Sequence, residues 1–572
     1  MTLENPDHSG RDSSYTSGVG AEEIKQSSNF LRGSVREELD DAGRPAFSAD
    51  NEVILKFHGI YQQDDRDVRR ARAAAKEPLA HICMVRAAIP GGRLSAQQFL
   101  ALDALADEIG DGSLRITTRQ GLQYHFVPKH GLRALIRTLN EQLVTTLAAC
   151  GDVVRNVMYC PAPFRDPARD QLTELVRAIA DRFRPRSGAY YEIWLDGERA
   201  ATAAPRAVEP EPIYGPTYLP RKFKIAVAHP GDNCIDAYAQ DVAVVPVDDG
   251  GTYVQRCTIL VGGGFGVSHA DSTTYPRAAT PLTTVGIDEV LDVIEAIVTV
   301  QRDNGQRGDR KHARLKYLID RWGLDHFRSE VEARVERELP PALPVRWAGS
   351  DDHLGWHERG DGKLFLGMRV PAGRLRDGDV RSRSAVRAIV EGLECDVRFT
   401  PNQDIVLDGI PVEDRGRIDA LLGAHGVEEP TSIIPVLRRA LACPALPTCG
   451  LALTEAERVL DDVVADVHAA MAQAGIGDEE ITFRMTGCPN GCARPYSAEI
   501  GLVGRTKTSY DILIGGDHVG RRLTTTYRTG VKRDAVGAEL APLFARYVAE
   551  RGAGERFGDW CHRSVVQPTT PP

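Results

Sequence analysis

The chain has 572 residues, too many for one ordinary core and enough for three or four domains. A formal net charge of -10, with 42% apolar and 26% charged residues, describes a globular protein with no bulk charge for nucleic acid. No apolar run is long enough to span a bilayer and the N-terminus has no secretory or transit pattern, so no membrane role and a cytoplasmic location are expected.

In that compartment the eleven cysteines read as ligands and core thiols, not disulfides. Residues 1–50 are polar, with one apolar patch at Phe30-Leu31, and read as an arm disordered at its start. Order begins at Val53-Ile-Leu-Lys-Phe57, read as a strand running into a charged loop that ends near Arg70. An internal repeat follows. Arg86-Ala-Ala-Ile-Pro-Gly-Gly-Arg-Leu94 returns as Met368-Arg-Val-Pro-Ala-Gly-Arg-Leu375, and Leu114-Arg-Ile-Thr-Thr-Arg-Gln120 returns as Val397-Arg-Phe-Thr-Pro-Asn-Gln403. Each copy reads as strand, turn, helix and strand, and two matches in the same order imply a duplication about a pseudo-two-fold axis. Arg115, Thr117 and Arg119 alternate, which predicts three polar side chains on one strand face; cations facing a core demand an anion. The second copy keeps Arg398, Thr400 and Gln403 in register.

The segment from Cys150 through Arg155 and Asn156 to Cys160 reads as a Gly/Pro-bounded turn around a short strand, with the two cysteines as packed thiols. Arg221, Lys222 and Lys224 then crowd together, both lysines on one side if the segment is extended; so short a basic run is usually a solvated face. Val261-Gly-Gly-Gly-Phe-Gly266 follows an apolar strand but lacks the dinucleotide fingerprint. An amphipathic helix covers residues 285–302, a basic helix restarts at Lys311, and Pro-rich residues 340–352 link two halves. Near the end, Ile500–Arg505 and Tyr510–Gly516 read as strands and residues 533–553 as a helix.

Between the second repeat and those strands lie Cys443-Pro-Ala-Leu-Pro-Thr-Cys449 and Cys488-Pro-Asn-Gly-Cys492. Four thiolates suit a soft metal centre, an iron–sulfur cluster or zinc, and neither pair has the C-x2-C form of a zinc knuckle, which favours the cluster. Positions i and i+4 share a helix face, so Cys488 and Cys492 are expected on a short helix opened by Pro489 and stopped near Pro495.

Cys-x5-Cys followed by Thr486-Gly-Cys-Pro-Asn-Gly-Cys492 resembles the signature of the sirohaem-dependent sulfite and nitrite reductases; Val53–Arg70 and Phe557-Gly-Asp-Trp560 resemble the same family. The resemblance implies an α+β fold of pseudo-two-fold, duplicated architecture: an arm (1–50), ferredoxin-like repeats (51–148 and 341–428) and two sirohaem-binding α/β domains (149–340 and 429–572). It implies a [4Fe-4S] cluster on Cys443, Cys449, Cys488 and Cys492, with Cys492 also bridging to the sirohaem iron. Arg86, Arg155, Lys222 and Lys224 would face the substrate. Arg115, Arg119, Gln120, Asn156, Arg221, Gln403 and Asn490 would bind the polycarboxylate sirohaem, which the backbone of residues 261–266 would approach. The implied reaction is six-electron reduction of sulfite to sulfide in sulfate assimilation and cysteine biosynthesis. Nitrite reduction on the same scaffold is the alternative, disfavoured by Lys224, where nitrite-reducing relatives of plant type tend to carry Asn. A non-catalytic metal module would leave the duplicated cationic strands without purpose. With no flavin- or nicotinamide-binding segment in view, electrons are expected from another protein, an NADPH-dependent flavoprotein first and ferredoxin second.

Overall fold

A computed structural model gives the fold and describes residues 20–186, 192–195, 198–202 and 211–567. The first repeat contains β1 (Ile60–Asp64), β2 (His81–Ala87), β3 (Arg93–Leu94), the helix Ala96–Glu108, β4 (Leu114–Ile116), β5 (Leu122–Val127) and the helix Leu132–Glu141. Next come β6 (Met158–Tyr159), the helix Pro167–Arg182, and the hairpin β7 (Glu192–Leu195) and β8 (Glu198–Thr202). The same α/β unit continues with β9 (Ile225–Val227), β10 (Val242–Pro246), β11 (Arg256–Val261), β12 (Thr280–Gly286) and the helix Val290–Asn304. The second repeat has β13 (Gly355–Glu358), β14 (Lys363–Met368), β15 (Arg374–Leu375), the helix Ser382–Leu393, β16 (Asp396–Phe399), β17 (Ile405–Pro411) and the helix Arg415–Ala424. The last unit has β18 (Ala440–Ala442), the helix Leu460–Gln473, β19 (Phe483–Thr486), β20 (Ile500–Thr506), β21 (Ser509–Ile514), β22 (Thr525–Lys532) and the helix Val536–Glu550.

The two repeats exchange strands. One sheet runs β1-β2-β5-β4-β15 and the other β13-β14-β17-β16-β3, so each repeat lends its short strand to the other. Arg374 pairs with Arg115 and Arg93 with Arg398 at these seams, and one apolar core serves both repeats. The recurring glycine of the repeat motif explains itself here. Gly92 and Gly373 both have positive φ, and a Cβ would run into the Phe399 carbonyl at the first and the Ile116 carbonyl at the second. The helix Ala96–Glu108 starts where Ser95 and Gln98 form a reciprocal capping box.

The α/β units repeat one another as well. Their sheets run β12-β11-β10-β9-β6 and β22-β21-β20-β19-β18, each with three parallel strands followed by two antiparallel ones. Each has its own core.

Two expectations need correction. Val53–Leu55 is not a strand: it ends the helix Ala49–Leu55, which Ser48 caps, and the strand begins at Ile60. The arm is packed from residue 20 onward, with helices Ala21–Ser27 and Val35–Asp40 and a fully buried Leu31. Its charge does not keep it in water because Lys25 is buried between the Leu219 carbonyl (3.0 Å), Glu22 (2.5 Å) and Asp152 (3.5 Å). Among the described residues no helix is long and apolar enough to cross a membrane.

Candidate cofactor and anion site

The four cysteines gather at one end of the last sheet. Cys443 directly follows β18, Cys449 lies in the turn after it, and Cys488 and Cys492 lie in the β19–β20 connection. The expected helix at Cys488–Cys492 is absent. The chain makes turns there, with Gly491 and Arg494 in the left-handed region, and Pro495 opens a 3-10 turn instead of ending a helix. Cys443 and Cys488 are buried, Cys449 is half-buried and Cys492 is exposed. Burial, then the neighbouring Cys492, push the thiols of Cys443, Cys449 and Cys488 upward, the last to about 12. Cys492 therefore lies near all three. The Gly487 amide (3.3 Å) and the Asn490 carboxamide (3.5 Å) donate toward Cys443 and Cys488, as donors to a cluster thiolate do.

Cations face this end from the first half. Lys222 and Lys224 precede β9, and their ammonium groups donate to no hydrogen-bond acceptor among the described residues. Burial and then Arg155 depress Lys222 to about 7, with Cys492 opposing; burial and then Arg314 hold Lys224 well below its usual value, with Asp241 opposing. Arg221 is lowered by burial as well. The Lys224 amide donates to Asp241 (2.9 Å), and Arg314 grips that carboxylate with two nitrogens at 3.0 and 2.7 Å. Arg119 donates to Gln240 (2.7 Å) and to the Asn156 (2.6 Å) and Ile225 (3.1 Å) carbonyls; burial brings it down to about 9. Asn156 donates to the Ile89 and Arg119 carbonyls, both at 2.8 Å. Arg86 donates to the Cys150 sulfur at 2.8 Å, and Arg155 to the Gly151 carbonyl at 3.2 Å beside Tyr61.

The set keeps unmet bonding capacity. Nε of Arg86 and of Arg119 and Oδ1 of Asn156 are buried without partners. A polyanion fits a concentration of half-buried cations with so few carboxylates.

Three expected ligands lie elsewhere. β4 ends at Ile116 and Thr117–Gly121 forms a turn, so Arg115 and Arg119 share no strand face. Arg115 turns to Glu457 at 3.0 Å and to the Ala442 carbonyl at 3.1 Å, beside Cys443. Gln120 bonds the Phe399 carbonyl (2.8 Å) and the Tyr159 amide (2.9 Å), while Gln403 bonds the Ala372 carbonyl (3.1 Å). Both carboxamides brace the repeat seam. The Gly-rich loop is likewise explained by the chain: a Cβ at Gly263 would strike the Tyr238 and Gln240 carbonyls, and one at Gly264 the Arg314 guanidinium. Arg314, Asp241 and Lys316, which donates to the Gly264 (3.1 Å) and Gly266 (3.0 Å) carbonyls, escaped the sequence reading. The basic run Lys311–Lys316 was the signal, but nothing in it singled out those two.

Sulfite reductase [NADPH] hemoprotein beta-components are similar along nearly the whole length. That of Xanthomonas campestris pv. campestris is 44% identical over 550 residues, covering 95% of this chain and 96% of the relative. The chain belongs to the nitrite and sulphite reductase family. The Methylobacterium nodulans beta-component is 43% identical over 545 residues, 95% of this chain and 90% of its own. The nitrite/sulfite reductase ferredoxin-like half domain matches residues 76–142 and 357–425, the two strand-exchanging repeats. The family's nitrite and sulphite reductase 4Fe-4S domain matches residues 174–339, the α/β unit that holds none of the four cysteines. The structure of the NirA protein of Mycobacterium tuberculosis superposes with a TM-score of 0.77 at 25% identity, covering 95% of this chain and 96% of the other. The duplicated α+β architecture is that of the family.

Proposed function

We propose that this chain is the sirohaem- and [4Fe-4S]-carrying component of an assimilatory sulfite reductase, acting on sulfite with electrons from a separate NADPH-dependent flavoprotein. The observation that carries the proposal is the meeting of an exposed Cys492, backed by three inner thiols, with the half-buried Lys222–Lys224–Arg155 group. Cys443, Cys449, Cys488 and Cys492 would hold the cluster, and Arg119, Arg221, Asn156 and Asn490 would hold the sirohaem. When bound, these groups supply the electron delivery that six-electron reduction requires.

The chain's own residues do the rest. Among the described residues no carboxylate bonds to the ammonium groups of Lys222 and Lys224, so they are available to a small dianion, and Arg155 and Arg86 add positive charge beside them. Desolvation lowers the proton affinity of both lysines, so each releases a proton more readily than an exposed lysine does; sulfite reduction consumes protons as its oxygens leave as water. Arg314 holds Asp241 in a fork, and Asp241 in turn fixes the Lys224 backbone. These contacts keep the lysine pointed without neutralising it.

The NADPH donor rests on the relatives' names, with ferredoxin as the competing donor. The test is a visible spectrum of the purified protein, followed by chemical reduction and sulfite addition. Sirohaem bands that shift with sulfite, with sulfide formed, support the proposal. A protein without visible absorbance sinks it. Turnover with a flavoprotein and NADPH but not with reduced ferredoxin decides the donor.

A further inference from the structure

Cys160, Asp232, Cys234 and His353 each offer one ligand atom, and these atoms all lie within 4.8 Å of one another. None belongs to the four-thiol set or to the proposed reaction. Cys160 Sγ lies 3.5 Å from Asp232 Oδ2 and 3.6 Å from His353 Nε2, and His353 Nε2 lies 3.5 Å from Asp232 Oδ2. A tetrahedral zinc ion has bonds of ~2.0–2.3 Å, which sets its ligands roughly 3.3–3.8 Å apart. All three distances fall in that interval.

The surroundings are arranged for an ion. Cys160, Cys234 and His353 are at most 3% exposed. Asp232 uses Oδ1 to accept the Cys234 amide (3.0 Å) and the Asp351 amide (3.1 Å), leaving Oδ2 toward the centre. His353 turns Nε2 inward; its Nδ1 is buried without a hydrogen bond, and the Asp351 carboxylate stands 3.7 Å away, as carboxylates stand behind metal-bound histidines. Two thiolates and a carboxylate exceed the charge of a divalent ion by one, and the Arg169 guanidinium, 3.4 Å from Cys160 Sγ, offsets the surplus.

Strand register adds an independent reason. Ile225 pairs with Val242 as Phe483 pairs with Ile500, and the intervals between them have equal length. Counting along both places Cys234 where the other half has Cys492. Tyr159 opposes Val227 as Ala442 opposes Met485, which places Cys160 where the other half has Cys443. Pro230 stands in for Cys488, so the four-thiolate set of the second half is not repeated, and Asp232 and His353 complete a different set.

We propose that these four side chains form a second metal centre, a closed site of two thiolates, one imidazole and one carboxylate for a zinc-class divalent cation. It occupies the position in the first half that the four thiols occupy in the second. With four protein ligands and no open position, its role is structural. It fastens the segment between the halves, through His353, to the first α/β unit.

Elemental analysis of the full chain, purified without added metal, tests this. The expected result is about one zinc per chain, with zinc lost and iron unchanged in His353→Ala and in Cys234→Ser. Cys488→Ser should do the reverse, losing iron and keeping zinc, which separates this site from zinc bound adventitiously by the cluster thiols. Growth in cobalt should give the wild-type protein the absorption of tetrahedral cobalt–thiolate coordination, which does not depend on any variant folding. Wild-type protein that carries no zinc and takes up no cobalt overturns the proposal. So does zinc that leaves with Cys488→Ser, or a Cys160–Cys234 disulfide in peptides mapped without reduction.

Discussion

The two α/β units use one frame for opposite purposes. The Lys224 amide donates to Asp241 at 2.9 Å, and at the equivalent place the Thr482 amide donates to Glu499 at 2.9 Å. Residues that precede these strands carry opposite charge: Arg221 and Lys222 in the first unit, Glu479 and Glu480 in the second. The thiols at the ends of the parallel strands are divided the other way, Cys443, Cys449, Cys488 and Cys492 in the second unit and the Cys160–Cys234 pair in the first. One duplicated scaffold thus provides a cation-lined wall and a thiolate-lined wall. The difference teaches that charge on the loops, not the fold, assigns each half its part.

The largest break in this division is Cys492→Ser. Cys492 is the thiol around which the other three gather, so its loss should abolish cluster absorbance and sulfite reduction together while leaving circular dichroism unchanged. Retention of both signals would refute the ligand assignment. Next is Lys224→Asn, which keeps a polar side chain and its backbone bond to Asp241 but removes the charge. The sulfite kcat/KM should fall by ~10²-fold, the size typical of losing one positioned electrostatic or proton-donating group, and the ratio of sulfite to nitrite kcat/KM should fall with it. An unchanged ratio would show that Lys224 does not discriminate between the substrates.

Much of this comparison was legible in the sequence, and the reason is locality. Each repeat motif and each cysteine pair lies within a few residues, so spacing alone carries the signal. What stayed hidden depends on partners far away in the chain. Arg115 reads as a cofactor ligand until Glu457 comes to it, and Cys160 reads as a packed thiol until Asp232 and His353 do. The Cys488–Cys492 spacing fits a helix, but Gly491 and Arg494 take left-handed conformations and the segment turns instead. Lys25 reads as part of a solvated arm because Asp152 and the Leu219 carbonyl, which receive it, are remote.

Where the halves meet, register places Asp236 and Arg494 at equivalent positions, and they pair with each other at 2.6 Å, so the pair lies on the pseudo-two-fold axis. Arg484 joins at 3.0 Å, and all three side chains are buried. Asp236→Asn would leave two buried guanidinium groups without a carboxylate, a loss of ~3–5 kcal/mol. Chemical denaturation should show this destabilisation, and a difference below ~1 kcal/mol would mean that the axis does not depend on the ion pair.

A last difference separates the two repeat turns. The first has Gly121 after Gln120, where a Cβ would approach the Ala87 carbonyl at 2.8 Å; the second has Asp404 after Gln403, its Oδ1 accepting the Val370 amide at 2.9 Å. Burial raises the Asp404 carboxyl to about 8, against ~3.9 in an unfolded chain. Between those values the folded chain holds a proton that the unfolded chain has released, so this residue's contribution to stability is complete below the lower value and is lost as pH rises toward the upper. Asn mimics the protonated acid and does not titrate. The melting temperature of Asp404→Asn relative to wild type should therefore rise between pH 5 and pH 8 and level off above it. A difference that stays constant across that interval would mean that Asp404 is already ionised in the folded protein, and that Arg369 and Arg438, whose charges favour its ionised form, outweigh its burial.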